Sequence, residues 1–123
     1  GARLAAARRS ADQMNVIEQE MTRLENALLS SGPAHLEDMA LHRAIVLGTC
    51  NPAFVSAFDH MFADIDRIMK AGVDISRSRP PEAIHAMLSE HQMIVDAIRV
   101  QDADGAALAM RWHLSQGRKR LMP

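Results

Sequence analysis

The sequence predicts an all-α fold: an antiparallel bundle of about six helices joined by short loops. Three observations predict it. Apolar residues recur at steps of three and four almost throughout, and no stretch alternates strictly enough for a strand. Ala, Leu, Met and Ile, which favour or tolerate helix, are plentiful. The 6 Gly and 5 Pro gather mostly where that periodicity breaks. With 123 residues the chain can build one domain around one core, and its 48% apolar content argues against disorder.

The elements follow in order. The Ala-rich segment ARLAAARR is a short first helix. It starts without a capping residue, which predicts that a further segment lies upstream. Ser10 and Gln13 have capping-box spacing, so a second helix begins near Ala11. Its inward stripe is Met14, Ile17, Met21, Leu24 and Leu28, and SSGP stops it. A third helix runs from about Ala34 to Gly48. Asn51 suits an N-cap and Pro52 a first helical position. The fourth helix they open should bury Phe54, Phe58, Met61, Ile65 and Ile68 and end near Gly72, with VDISRSR as a loop. Pro80 and Pro81 start a fifth helix reaching about Gln101. Asp102 caps the sixth, Asp104 in its first turn suits the helix dipole, and the helix fades in the basic tail RKRLMP.

Composition removes several function classes. A net charge of −1 offers no bulk attraction to DNA or an anionic membrane. Aromatics are few, Trp112, 3 Phe and no Tyr, which disfavours a base-stacking surface. The 1 cysteine, Cys50, cannot form a disulfide within the chain, and no signal peptide or membrane-length apolar run occurs. These features predict a cytoplasmic protein that does not associate with membranes.

The polar residues inside the predicted helices carry the functional information. At about 100° per residue, Asp38 and His42 in EDMALH fall within the arc of Met39, Leu41, Ile45 and Val46. Glu37, Arg43 and Ala44 lie toward the other side. In the fifth helix His91 interrupts the stripe Ile84, Met87, Ile94 and Ile98. In the sixth, His113 stands among Ala106, Met110, Gly117 and Leu121. His85 and His60 fall off the apolar stripes, and His35, at a helix start, is ambiguous. A lone inward histidine is ordinarily a hydrogen-bonded core residue. Each unpartnered buried polar group costs about 1–3 kcal/mol, and a domain's net stability is only about 5–15 kcal/mol. Four such groups on three helices therefore need one another or a common partner. Spacing leaves both readings open: a buried hydrogen-bonded set, or a divalent metal held by Asp38, His42, His91 and His113.

DMALH, NPAF, EHQMIVDAI and QDADGAALAMRWHL, in that order and spacing, resemble the C-terminal ligand-binding (FCD) domain of FadR-type regulators in the GntR superfamily. ARLAAARRSADQM resembles that domain's first helix and its junction with the second. The resemblance implies a helical, homodimeric domain that senses a small molecule behind an N-terminal winged helix-turn-helix, which this chain does not contain. DNA would then be bound only through that missing domain. Many members hold a divalent metal through Asp-x-x-x-His and two further histidines, which here fall on Asp38, His42, His91 and His113. Two positions depart from the pattern: Leu41 replaces an aromatic before the first histidine, and Gln101 replaces a Gly before the capping Asp.

A nitrogen-rich set suits zinc, with nickel, manganese or iron as alternatives. Open coordination positions would accept a small carboxylate, hydroxycarboxylate or sugar acid. Arg8, with Arg3 as alternate, is the candidate to clamp its carboxylate, although both also read as a solvated helix face. Two rival readings are a metal-dependent hydrolase and a structural bundle stapled by metal. The hydrolase lacks an HExxH motif and an adjacent His-Asp pair, and Glu90, next to His91, points about 100° away as a prospective base.

Overall fold

The computed structural model describes residues 1–122, in which the chain forms seven α-helices. They are α1 (Ala2–Arg8), α2 (Ala11–Leu29), α3 (His35–Gly48), α4 (Pro52–His60), α5 (Phe62–Arg77), α6 (Glu82–Arg99) and α7 (Ala103–Leu121). No strand occurs among the described residues. The local signals act as their chemistry dictates. Ser10 and Gln13 close a reciprocal capping box, Asn51 accepts from the Ala53 amide at 3.0 Å, and Asp102 accepts from the Gly105 amide at 2.9 Å.

Three boundaries differ from the sequence reading. The predicted fourth helix is two, broken at Met61, where φ −96° and ψ 11° leave the helical well. Its expected stripe therefore does not run straight. Phe58 is buried, Ile65 is half-buried, and Phe54, Met61 and Ile68 are exposed. The stretch read as a loop supplies the last turns of α5 instead, with Val73 and Ser76 buried. The basic tail continues α7 as far as Leu121, with Arg120 buried. In α3, Ala44 is buried and Val46 only partly so, the reverse of the wheel, because α2 and α1 both pack on that helix.

Two helix pairs, α2 with α3 and α6 with α7, are each closed by a short connection and pack on one another through α2 and α6. The small α1 fits between α3, α6 and α7, burying Ala2, Ala5 and Ala6. Gly48 permits that fit, since a Cβ there would lie 3.3 Å from Arg9 Cβ and 3.5 Å from Ala5 Cβ. Ile17, Leu24, Leu41, Ile94 and Ile98 form the centre of the core. At the other end α5 lies across α3, α6 and α7.

Helix C-termini leave carbonyls without intrahelical partners. Here side chains from elsewhere in the fold supply the donors. Arg77 reaches the Ala27 and Ser30 carbonyls at 2.7 and 3.0 Å and also that of Gly32. Arg9 bonds the Ile98 and Arg99 carbonyls at 3.3 and 2.7 Å. Gln13 bonds Leu47 at 3.1 Å, and Gln101 bonds Ala6 at 3.1 Å.

Candidate metal centre

The inward polar stripes of α3, α6 and α7 meet. Asp38 and His42 stand one turn apart on α3, His91 is on α6 and His113 on α7, and none is more than 8% exposed. The His91 and His113 ring centroids are 4.1 Å apart, and His42 is 5.5 Å from each. One ring nitrogen from each of the three histidines lies within 4.8 Å of the others. Asp38 Oδ1 is 2.9 Å from His91 Nε2 and 3.3 Å from His42 Nε2.

Each ring is oriented by its other nitrogen. The Met87 carbonyl can only accept, so His91 Nδ1, 2.8 Å away, carries a proton and directs Nε2 to Asp38. His113 Nδ1 lies 2.9 Å from Glu90 Oε1 and donates to it, which leaves Nε2 as the available lone pair. The other Glu90 oxygen accepts from the Arg120 guanidinium. His42 Nε2 is the exception. It is buried and near Asp38, but it is not aligned for a hydrogen bond and has no partner.

The charges follow from this geometry. Burial opposes ionisation of Asp38, but the His91 charge and hydrogen bond, with His42 close by, overcome it and hold the carboxyl well below the usual range. Burial likewise opposes charge on His91, and the Asp38 carboxylate with the Met87 carbonyl reverses it, raising the imidazole. For His113 burial prevails over its bond to Glu90, and the imidazole falls to about 4. Glu90 is lowered: burial disfavours its charge, but His113 and Arg120 more than compensate.

The donor set fits a divalent ion. Three nitrogens about 2.0–2.1 Å from one zinc lie roughly 3.3–3.6 Å from one another. The three here lie within 4.8 Å of one another, so each ring would close inward by up to about 0.8 Å to reach that spacing. A buried imidazole nitrogen with no hydrogen-bond partner costs stability unless something accepts its lone pair, and His42 Nε2 is such an atom. Glu90 and Met87 stand behind the rings as second-sphere groups commonly stand behind metal-bound histidines. Beside the cluster is a cavity of about 220 Å³. Asp38, His42 and His113 line it, with Met69, Gly72 and Leu121 among its walls.

The structure thus assembles Asp38, His42, His91 and His113. It does not bring the two predicted arginine clamps to them. Arg3 is half exposed and pairs with Asp104 at the start of α7, and Arg8 is exposed. Neither lines the cavity, because α1 packs along faces of α3 and α7 away from it. Arg118 and Arg120 line it instead. His35 lies 3.8 Å from Asp66, outside the cluster, and His60 and His85 are exposed. Sequence reasoning missed Glu90 and Arg120. Glu90 stands three residues after Met87 and four before Ile94, so it shares the core stripe with His91, and Arg120 is two turns beyond His113 on one face of α7.

The family model described as the FCD domain matches residues 1–116. Among curated proteins nothing matches the chain. With nearly its whole length matched, and an all-helical bundle that agrees, the chain belongs to the FCD family, the C-terminal ligand-binding domain of GntR-family regulators.

Proposed function

We propose that this domain senses a small organic or sugar acid at a buried divalent ion held by Asp38, His42, His91 and His113. The reading places the chain in the metal-containing branch of its family. The observation that carries it is that three buried histidine nitrogens lie within 4.8 Å of one another, with an Asp38 oxygen 3.3 and 2.9 Å from two of the rings and His42 Nε2 without a hydrogen-bond partner. When bound, the ion supplies a fixed positive centre that makes the pocket prefer anions. The residues do the rest. Asp38 offsets one charge, Glu90 and Met87 set the histidine tautomers, and Met69 and Met87 give the cavity an apolar wall beside the acid. Zinc fits the nitrogen-rich set, with nickel, manganese and iron as the other candidates.

In this reading the domain is the cytoplasmic sensing and dimerising half of a regulator whose DNA contacts belong to a winged helix-turn-helix partner domain. A coupling of about 1–3 kcal/mol between acid and operator would be enough to shift DNA affinity several-fold to a hundred-fold. Catalysis forms no part of the proposal, since both Glu90 oxygens are engaged by His113 and Arg120. Metal analysis of the purified domain, then melting with a panel of carboxylates before and after chelation, tests it. We expect about one ion per chain and a melting temperature that climbs with acid concentration only while the ion is present. A domain that takes up no ion at any loading, or whose melting no acid moves, would overturn it.

A further inference from the structure

We infer that Arg120 is the second anchor of the effector, and that the site selects small acids carrying two anionic groups. The inference rests on the metal-centred reading above and adds to it a residue and a ligand class. Arg120 is only 9% exposed and is among the residues lining the cavity, beside His113. A guanidinium has five N–H donors. Among the described residues its one side-chain hydrogen bond goes to Glu90 through Nη2. No other hydrogen bond from its guanidinium is made to a side chain or backbone among the described residues. A buried guanidinium that lines a cavity and has donors beyond those its carboxylate partner takes is suited to a two-point grip on a second carboxylate.

The distance to the histidines is short. Glu90 holds His113 on one oxygen and Arg120 on the other, so one carboxylate group separates the guanidinium from the ring. One anionic group at the histidine cluster and a second on Arg120 would therefore belong to the same small molecule. A cavity of about 220 Å³ is below the roughly 300–1,000 Å³ of sites for drug-sized ligands, which favours a short chain. Charge agrees. A divalent ion with Asp38 leaves one positive charge, the Glu90–Arg120 pair is neutral, and Arg118 on the wall adds another positive charge.

Calorimetric titration of the zinc-loaded domain with malonate, succinate and glutarate, against acetate, propionate and butyrate, tests this. At least one dicarboxylate should bind about ten- to a hundred-fold tighter than its monocarboxylate counterpart, and Arg120→Gln should erase that margin while zinc content stays unchanged. Should R120Q fail to fold, Arg120→Lys, which keeps charge and bulk but not the fork, should lose most of the margin. Glu90→Gln, which removes the competing negative charge, should widen it. A margin that persists in R120Q, or in R120K and E90Q without change, overturns the inference. So does a margin that survives chelation, because the acid would then occupy the outer groove of Arg79, Ser89 and Lys119 on the far side of Arg120. Failure of the wild-type domain to take up zinc sinks the metal reading first and is read separately, from the metal analysis.

Discussion

His91 and His113 are the same residue type only ångströms apart, yet their surroundings drive them in opposite directions. His91 meets Asp38 and is raised from 6.5, while His113, where burial prevails, falls to about 4. The stability signs follow. A raised histidine contributes stability that is present below pH 6.5 and lost as pH climbs through its folded value. A lowered one contributes stability that is present above pH 6.5 and lost as pH falls toward about 4. The chelated domain should therefore be most stable near pH 6.5, and the His113 shift alone corresponds to about 3 kcal/mol lost on acidification. With zinc bound, all three imidazoles must be neutral, so stability should instead keep rising from pH 6.5 to 8. Urea midpoints across pH 4–8, with and without chelator, check this, and parallel curves would refute it.

At the scale of the helix, the ends carry more information than the middles. Gln101 and Cys50 hold φ of 57° and 52°, the left-handed region, and each begins the turn into the next capped helix. Gly takes this region without cost, which accounts physically for the Gly that the resemblance implies before the capping Asp. Gln101 tolerates the position and uses its side chain to bond the Ala6 carbonyl at 3.1 Å. Arg77 has the largest such role. Its side chain satisfies carbonyls at the end of α2 and in the following loop, from a stretch whose Ser and Arg content reads as irregular. Arg77→Ala should cost about 2 kcal/mol by leaving those carbonyls short of donors, read as a lower denaturant midpoint with unchanged slope. A loss within about 0.5 kcal/mol, as for an ordinary surface substitution, would show that water replaces the guanidinium freely.

For the whole molecule, the four candidate ligands come from α3, α6 and α7, while α4 and α5 contribute none. An ion held there would add to the hydrogen bonds that already join α3, α6 and α7 through Asp38–His91 and Glu90–His113, while α5 supplies only cavity wall. Amide hydrogen exchange should thus slow on zinc loading in α3, α6 and α7 around the ligands, with little change in α4 and the first turns of α5. Equal slowing in all seven helices would mean that exchange proceeds by global unfolding and that no local tie exists.

Helix content and the inward direction of Asp38, His42, His91 and His113 were legible in the sequence, because a period of 3.6 marks the buried face whatever packs against it. The capping box at Ser10 and the caps at Asn51 and Asp102 were legible for the same reason, being contacts within a few residues. The break at Met61, the buried Glu90–Arg120 pair and the absence of Arg3 and Arg8 from the cavity were decided by tertiary structure. Local spacing tells a helix which side faces in. Only the crossing of helices tells which inward residues of one meet those of another, and there a long side chain such as Arg120 finds its partner 30 residues away in the chain.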